Sequence, residues 1–343
     1  MPYDLESQTA LAAVRQAAAV CQAVQQRLVR PETLAKKDKS PVTVADFASQ
    51  AVVCAALEKA FPDDPVVGEE DAHELRQSDQ AALRNIVVDH VRNDLGAHID
   101  DDQVLGWIDR GGASGGASAE RCWTLDPIDG TKGFLRGRGD QYAIALALLE
   151  RGQVVLGVLG CPNLPFPNAN GQTIGTLMIA VRGQGVQMQP LLAQAPPPGV
   201  VRAELQAHVD QLSDPADPAA RFCESVESGH SDQSASATLA ALLGITHEPL
   251  RMDSQAKYAA VARGDASIYL RLPVSAKYRE KIWDHAAGAI IVAEAGGRVT
   301  DVHGQPLDFS IGRTLANNQG IIATNSALHH RVVAAVAAAA LKK

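Results

Sequence analysis

The segment Asp126-Pro127-Ile128-Asp129-Gly130-Thr131 sets two carboxylates three residues apart, with a proline between them and Gly-Thr behind. Acidic side chains crowded this closely repel one another, so each disfavours the other's ionised form unless positive charge compensates. Mg²⁺, a hard cation that takes carboxylate, carbonyl and water oxygens, suits such a set. Asp126, Asp129 and the Ile128 carbonyl could hold the ion. Thr131, near the start of a short helix with free backbone N–H groups, could hold phosphate. A lone D-x-x-D also reads as a turn with a capping aspartate, and the segment must be weighed with its surroundings.

Those surroundings place chemistry at element ends. Arg121–Leu125 reads as a short strand leading into a turn, since Pro127 biases Asp126 to extended geometry and Asp129-Gly130 is a turn signal. Residues 4–29 carry alanine-rich helical periodicity. Val42–Ala45 leads into Asp46 and a second helix that ends near Ala60, before Phe61-Pro62. Val66–Gly68 reads as a strand ending at Glu69-Glu70, and residues 72–108 look helical. Hairpins are expected around Glu150-Arg151-Gly152-Gln153 and Arg182-Gly183-Gln184-Gly185. Further on, strands are expected at Arg221–Glu224 and Ala266–Arg271, and helices at 234–243 and 281–295. Helices mixed with antiparallel strands point to a layered α/β architecture rather than a simple alternating βαβ chain. Loop-like stretches near Pro196–Gly199 and Asp214–Pro218 suggest two halves, residues 1–195 and 196–343.

Acids thus recur at element boundaries: Asp46 before a helix, Glu69 after a strand, Asp126 and Asp129 at the central turn, Asp284 in the first turn of a helix. Each has an ordinary alternative. Asp46 could be an N-cap and Asp284 could complement a helix dipole.

Composition narrows the classes. A net charge of −8 over 343 residues argues against a nucleic-acid polymer as partner, because phosphate-backbone binding needs a basic footprint. A small phosphorylated substrate stays open, through metal and a few local cations. Five scattered cysteines form neither a CxxC pair nor a zinc spacing, which suggests reduced thiols in a cytoplasmic protein. No secretory signal and no membrane-length apolar run is read from the sequence. Walker-type and HExxH motifs are absent.

Three strings, taken in order, resemble the lithium-sensitive, Mg²⁺-dependent phosphomonoesterases that include inositol monophosphatases and fructose-1,6-bisphosphatases. They are Val67-Gly68-Glu69-Glu70, the Asp126–Thr131 run, and Trp283-Asp284-His285-Ala286-Ala287-Gly288. Other segments are similar to 3′(2′),5′-bisphosphate nucleotidases in particular: Lys39–Asp46, Thr131–Gly137, Glu224–His230, Met252–Tyr258 and Tyr269–Pro273. The resemblance implies an αβαβα sandwich of the inositol monophosphatase type with mixed and antiparallel sheets. It implies two or three Mg²⁺ ions on Glu69, Asp126, the Ile128 carbonyl, Asp129 and Asp284. Asp46 and Thr131 would orient and deprotonate water. His230, Ser254, Lys257 and Arg271 would hold the nucleotide, together with Thr131 and Asp284, and Glu70 would stand behind the ligands. The implied reaction turns 3′-phosphoadenosine 5′-phosphate into AMP and phosphate, with inhibition by Li⁺. An inositol polyphosphate or sugar phosphatase is the alternative within the superfamily. A non-catalytic sensor of bisphosphate nucleotides is the alternative outside it.

Overall fold

The computed structural model describes residues 2–28, 40–116, 119–137, 139–167, 175–191, 205–226, 233–273, 275 and 277–340. Two long helices open it, α1 (Asp4–Leu28) and α2 (Ser40–Ala60). Strand β1 (Val66–Gly68) and helices α3 (Ala81–Leu95) and α4 (Asp101–Asp109) follow. Next come β2 (Arg121–Asp129), the short α5 (Thr131–Arg136), β3 (Ala143–Glu150), β4 (Gln153–Cys161), β5 (Thr176–Val181), β6 (Val186–Pro190) and β7 (Leu205–Gln206). The remainder is β8 (Phe222–Glu224), α6 (Gln233–Leu243), β9 (Leu250–Arg251), α7 (Ala256–Ala262), β10 (Ile268–Arg271), α8 (Ala286–Glu294), β11 (Gly297–Thr300), β12 (Ile321–Asn325) and α9 (Ser326–Ala340).

β1 to β7 form one sheet in chain order, with β1 parallel to β2 and the other pairs antiparallel. A second, mixed sheet has the order β11-β12-β10-β8-β9. Period-2 alternation divides the first sheet's side chains between two cores. Leu125, Leu146, Leu148 and Val158 pack with α1 and α2. Ala145, Ala147, Leu149 and Met178 face the other way, onto α7 and α8, which also meet Tyr269 and Ala323 of the second sheet. The far face of that sheet, through Phe222, Ile268 and Ile322, packs on Leu239 of α6 and on Leu328 and Val332 of α9. Helix, sheet, helix, sheet and helix layers follow one another, and the expected αβαβα sandwich is borne out. Among the described residues no helix is long and apolar enough to cross a membrane.

Four local expectations need correction. α2 begins at Ser40, so Asp46 lies inside the helix and not at its cap. The β-branched run Val42-Thr43-Val44 is tolerated there because Val42 and Val44 are buried against the core, and tertiary packing outweighs weak helix propensity. β2 does not stop at Leu125 but runs through Asp129. α8 begins at Ala286, so Asp284 precedes the helix instead of occupying its first turn. The backbone before it is engaged elsewhere: the Ile282 N–H donates to the Arg313 carbonyl, and the Leu315 N–H donates to that of Glu280. Finally, β11, β12 and α7 have no counterpart in the sequence reading. The expected division at 195/196 lies outside the described residues.

Candidate active site

Parallel pairing brings the first two acids together. Gly68 of β1 is in register with Leu125 of β2, so the next residues, Glu69 and Asp126, leave the sheet side by side. Asp126 and Asp129 then depend on an irregularity. Asp126 pairs with Ala145 and Asp129 with Ala143, so three steps along β2 match two along β3. Residues three apart on a regular strand face opposite ways; the extra residue of this bulge turns both carboxylates to one face. Pro127, which has no N–H, sits inside it, and its carbonyl accepts from Ser49 Oγ at 3.0 Å. The Ile128 N–H donates to Asp126 Oδ1 at 3.1 Å.

Ser49 and Asp46 share α2, as does Gln50. The Gln50 amide donates to the carbonyls of Glu70 and Ile108, each at 2.6 Å, and its oxygen accepts from the Glu70 N–H at 3.1 Å. The Glu69-Glu70 backbone is thereby fastened to the helix that carries Asp46. Arg313 reinforces the same corner, donating to the carbonyls of Gly68 at 2.5 Å and Ala113 at 2.8 Å.

Asp284 arrives from the second half of the chain through Gln255, which is buried. The Gln255 N–H donates to Asp129 Oδ2 at 2.6 Å, its side-chain amide donates to the Trp283 carbonyl at 2.8 Å, and its oxygen accepts from the Gly288 N–H at 3.1 Å. Ser254, one residue earlier, has φ of +68° and accepts the Ala256 N–H on its hydroxyl at 3.1 Å. It packs against the turn at Gly130, itself at φ +92°, where an added Cβ would lie 2.8 Å from that of Ser254. Thr131 is exposed at the start of α5. At the other end of α5, Arg136 pairs with Asp140 and with Asp253.

The electrostatics identify one cluster. Burial, then the charges of Glu70 and Glu69, push the Asp46 carboxyl well above its ordinary range. Burial and the charges of Glu69, Asp129, Asp284 and Asp46 do the same to Asp126. Glu69 is pushed up to about 7 by burial, then by Glu70 and Asp129. Asp284 is pushed up to about 7 mainly by burial, with Asp129 adding to it and His285 and Arg271 opposing. Asp129 is raised by burial against the pull of Lys257 and Arg271. Lys257, 5% exposed, lies 5.3 Å from the Tyr269 ring centroid, and burial lowers its pKa.

Asp46, Glu69, Asp126, Asp129 and Asp284 therefore converge, with Lys257 and Arg271 on one flank. His230 lies outside the described residues. Asp46 and Asp126 are buried, Asp129 and Asp284 half-buried and Glu69 exposed; this group of carboxylates, with too few cations to satisfy it and only oxygen donors to offer, fits a hard divalent metal.

A second acidic group needs a different reading. Ligand atoms of Glu280, Asp284 and His285 lie within 4.8 Å of one another, a spacing a metal could use. Here a side-chain cation already serves them: Arg271 Nε is 2.8 Å from Glu280 Oε2 and a terminal nitrogen is 3.5 Å from Asp284 Oδ2. His285 is committed on both ring nitrogens, to Glu280 at 3.2 Å and to the Tyr258 hydroxyl at 2.8 Å. Sequence reasoning missed Gln50, Gln255, Glu280 and His285 as supports. The signal for Glu280 was present, an acid four residues before Asp284 on a segment of otherwise apolar and basic residues.

The model of the inositol monophosphatase family matches residues 5–341. The chain belongs to the inositol monophosphatase family. Among curated relatives, a 3′(2′),5′-bisphosphate nucleotidase of Schizosaccharomyces pombe is 45% identical, covering 100% of this chain and 98% of that protein. One of Emericella nidulans is 45% identical over 98% of each, and one of Oryza sativa is 45% identical over 98% of this chain and 94% of its own. Among solved structures, an IMPase of Thermotoga maritima gives a TM-score of 0.62 at 19% identity over 98% of each chain. CysQ of Bacteroides thetaiotaomicron, described as a bacterial member of this family, gives 0.60 at 19%, covering 94% of this chain and 97% of its own. At that identity the structural likeness concerns the family's fold. The metal dependence typical of the inositol monophosphatase family agrees with the acidic cluster.

Proposed function

We propose that the protein hydrolyses the 3′-phosphate of 3′-phosphoadenosine 5′-phosphate, giving AMP and phosphate, with two or three Mg²⁺ ions as cofactor. One observation carries the reading: around Asp129, an all-oxygen donor set meets two cations, the buried Lys257 and the half-buried Arg271, within one cluster. The donors suit the metal that phosphomonoester hydrolysis demands, and the cations suit a second phosphate on the same substrate. Full-length relatives carrying the name bisphosphate nucleotidase support the choice of a nucleotide.

Glu69, Asp126, the Ile128 carbonyl, Asp129 and Asp284 are the metal-holding set. Bound there, Mg²⁺ supplies Lewis-acid polarisation of the phosphoryl group, a lowered pKa for bound water and charge for the leaving oxygen. Asp46 and Thr131 act on the attacking water. Its proton passes by way of the Thr131 hydroxyl to Asp46, the water oxygen bonds to phosphorus, and the bond from phosphorus to the ribose 3′-oxygen breaks, its electron pair staying on that oxygen, which takes a proton from water to become the 3′-hydroxyl of AMP. Burial suits Asp46 to this task, since a general base works best with a pKa raised towards the operating pH. Lys257 gives the second phosphate a point charge and Arg271 a planar fork, with Ser254 and His230 completing the nucleotide contacts. All five cysteines are buried and unpaired, which supports a cytoplasmic setting.

Phosphate release from 3′-phosphoadenosine 5′-phosphate, its sulfated analogue, inositol 1,4-bisphosphate and inositol 1-phosphate, with and without Mg²⁺, tests the reading. Mg²⁺-dependent release from the nucleotide, well above that from either inositol phosphate, is expected. Equal turnover of the inositol phosphates would overturn the nucleotide assignment, and rates indifferent to Mg²⁺ would overturn the metal site.

A further inference from the structure

Arg271 stands between two acids and is held more closely by one of them. Its Nε lies 2.8 Å from Glu280 Oε2, a good charge-assisted hydrogen bond, whereas its terminal nitrogen is 3.5 Å from Asp284 Oδ2 and 3.5 Å from the Tyr278 hydroxyl. Glu280 is 5% exposed and does not float. The same Oε2 meets His285 Nε2 at 3.2 Å, and His285 Nδ1 meets the Tyr258 hydroxyl at 2.8 Å. His285 and Tyr258 are completely buried. An N–H on His285 Nε2 donates to the carboxylate, and Nδ1 faces the Tyr258 hydroxyl, so both ring nitrogens are engaged. Burial opposes the charge on Glu280, yet His285 and Arg271 together hold its pKa below the ordinary value.

The row Tyr258–His285–Glu280–Arg271 reaches both cations of the site. Tyr258 packs edge-on against Tyr269, with centroids 5.0 Å apart, and Lys257 sits over that same Tyr269 ring. α7 thus contributes Lys257 and Tyr258 as neighbours, while β10 contributes Tyr269 and Arg271. Without a fixed acid on its Nε edge, the guanidinium would have Asp284 as its nearest buried anion. It would then spend its outer nitrogens on a metal-holding carboxylate.

We propose that Glu280 is a positioning residue that sets selectivity for a doubly phosphorylated substrate. It claims the Nε edge of Arg271, limits the guanidinium to a long 3.5 Å contact with Asp284, and leaves the terminal nitrogens to grip the phosphate that is not cleaved. Glu280 touches neither substrate nor metal in this arrangement. The inference rests on the reading of Arg271 as the contact to that second phosphate.

The test measures KM and kcat for 3′-phosphoadenosine 5′-phosphate and for 3′-AMP at saturating Mg²⁺. Glu280→Gln keeps the shape and removes the charge. It is expected to raise KM for the bisphosphate roughly tenfold, as for loss of a hydrogen bond to a charged group, while KM for 3′-AMP stays within about twofold and any fall in kcat is shared equally by the two substrates. Arg271→Met separates the two ideas. If it leaves the ratio of the two KM values intact, the assignment of Arg271 is wrong. If it collapses the ratio while Glu280→Gln does not, Arg271 stands and the role of Glu280 is overturned. A general structural defect would instead raise both KM values together, which also counts against the proposal. Tyr258→Phe, which deletes only the hydroxyl at the far end of the row, should shift the ratio in the same direction by less. Should Glu280→Gln fail to fold, an unchanged ratio in folded Tyr258→Phe overturns the proposal.

Discussion

The main-chain N–H of Gln255 lies 2.6 Å from Oδ2 of Asp129, joining two segments 126 residues apart in the chain. Because the same residue's side chain binds the Trp283 carbonyl and the Gly288 N–H, it sets the distance between Asp129 and Asp284.

Gln255→Leu keeps the bulk and the backbone hydrogen bond but releases the Trp283–Gly288 segment. The half-saturating Mg²⁺ concentration for phosphate release should rise about tenfold, the scale on which groups that orient metal ligands act. Calorimetric titration of Mg²⁺ in the absence of substrate should show the same weakening. Unaltered Mg²⁺ affinity would mean that the two carboxylates are positioned independently of Gln255.

Asp129→Asn tests the cluster from the opposite side. The amide oxygen can still accept the Gln255 N–H, so the fold should persist while turnover is abolished. The charge of Asp129 is repelled by Glu69 and Asp284 but held by Lys257 and Arg271, so its loss is not expected to raise the melting temperature in a chelator. The added stability conferred by Mg²⁺ should shrink. A variant that still gains the full increment from Mg²⁺ would contradict the assignment.

Much of the first sheet was legible because its signals are local. The turn Arg151-Gly152, with φ values of +50° and +75°, is a two-residue hairpin whose dipeptide announces it. The acids proposed for the metal site were legible as residue types at element ends. What brings them to one face was not. Asp126 and Asp129 would diverge on a regular strand, and only the pairing with Ala145 and Ala143 reveals the bulge. Asp46 looked like a cap because Val42-Thr43-Val44 reads as extended, and the burial that overrides this comes from distant elements. Glu280 and Gln255 were illegible as supports, since their partners Arg271, Asp129 and Trp283 meet them only in the folded chain.

His329 provides a pH test remote from the acids. It is buried between the hydroxyls of Thr300 at 3.0 Å and Thr324 at 2.9 Å. Burial, then the charge of Arg298, lowers its pKa from 6.5 to about 4. The folded protein therefore keeps the ring neutral while the unfolded chain takes up a proton. The stability this ring contributes is fully present above about pH 6.5 and is lost as pH falls towards 4. His329→Gln, which cannot titrate, should show a flatter decline in melting temperature between pH 7 and pH 4.5. Parallel curves for variant and wild type would mean that the ring titrates normally in the folded state.

Gly133 explains why the turn of α5 admits no side chain. A Cβ at this position would lie 2.0 Å from the Gln141 carbonyl oxygen, a backbone atom with no room to yield. Gln141 leads into Tyr142 and β3, while Gly133 lies two residues beyond Thr131. A clash here must push α5 away from the sheet, and Thr131 with it. Gly133→Ala should therefore destabilise by about 1–3 kcal/mol, as overpacking does. It should also lower kcat more than it raises KM, because Thr131 is assigned to the attacking water and not to nucleotide affinity alone. Near-normal kcat in a destabilised Gly133→Ala protein would show that the placement of α5 does not govern the water, and would remove Thr131 from the proton path.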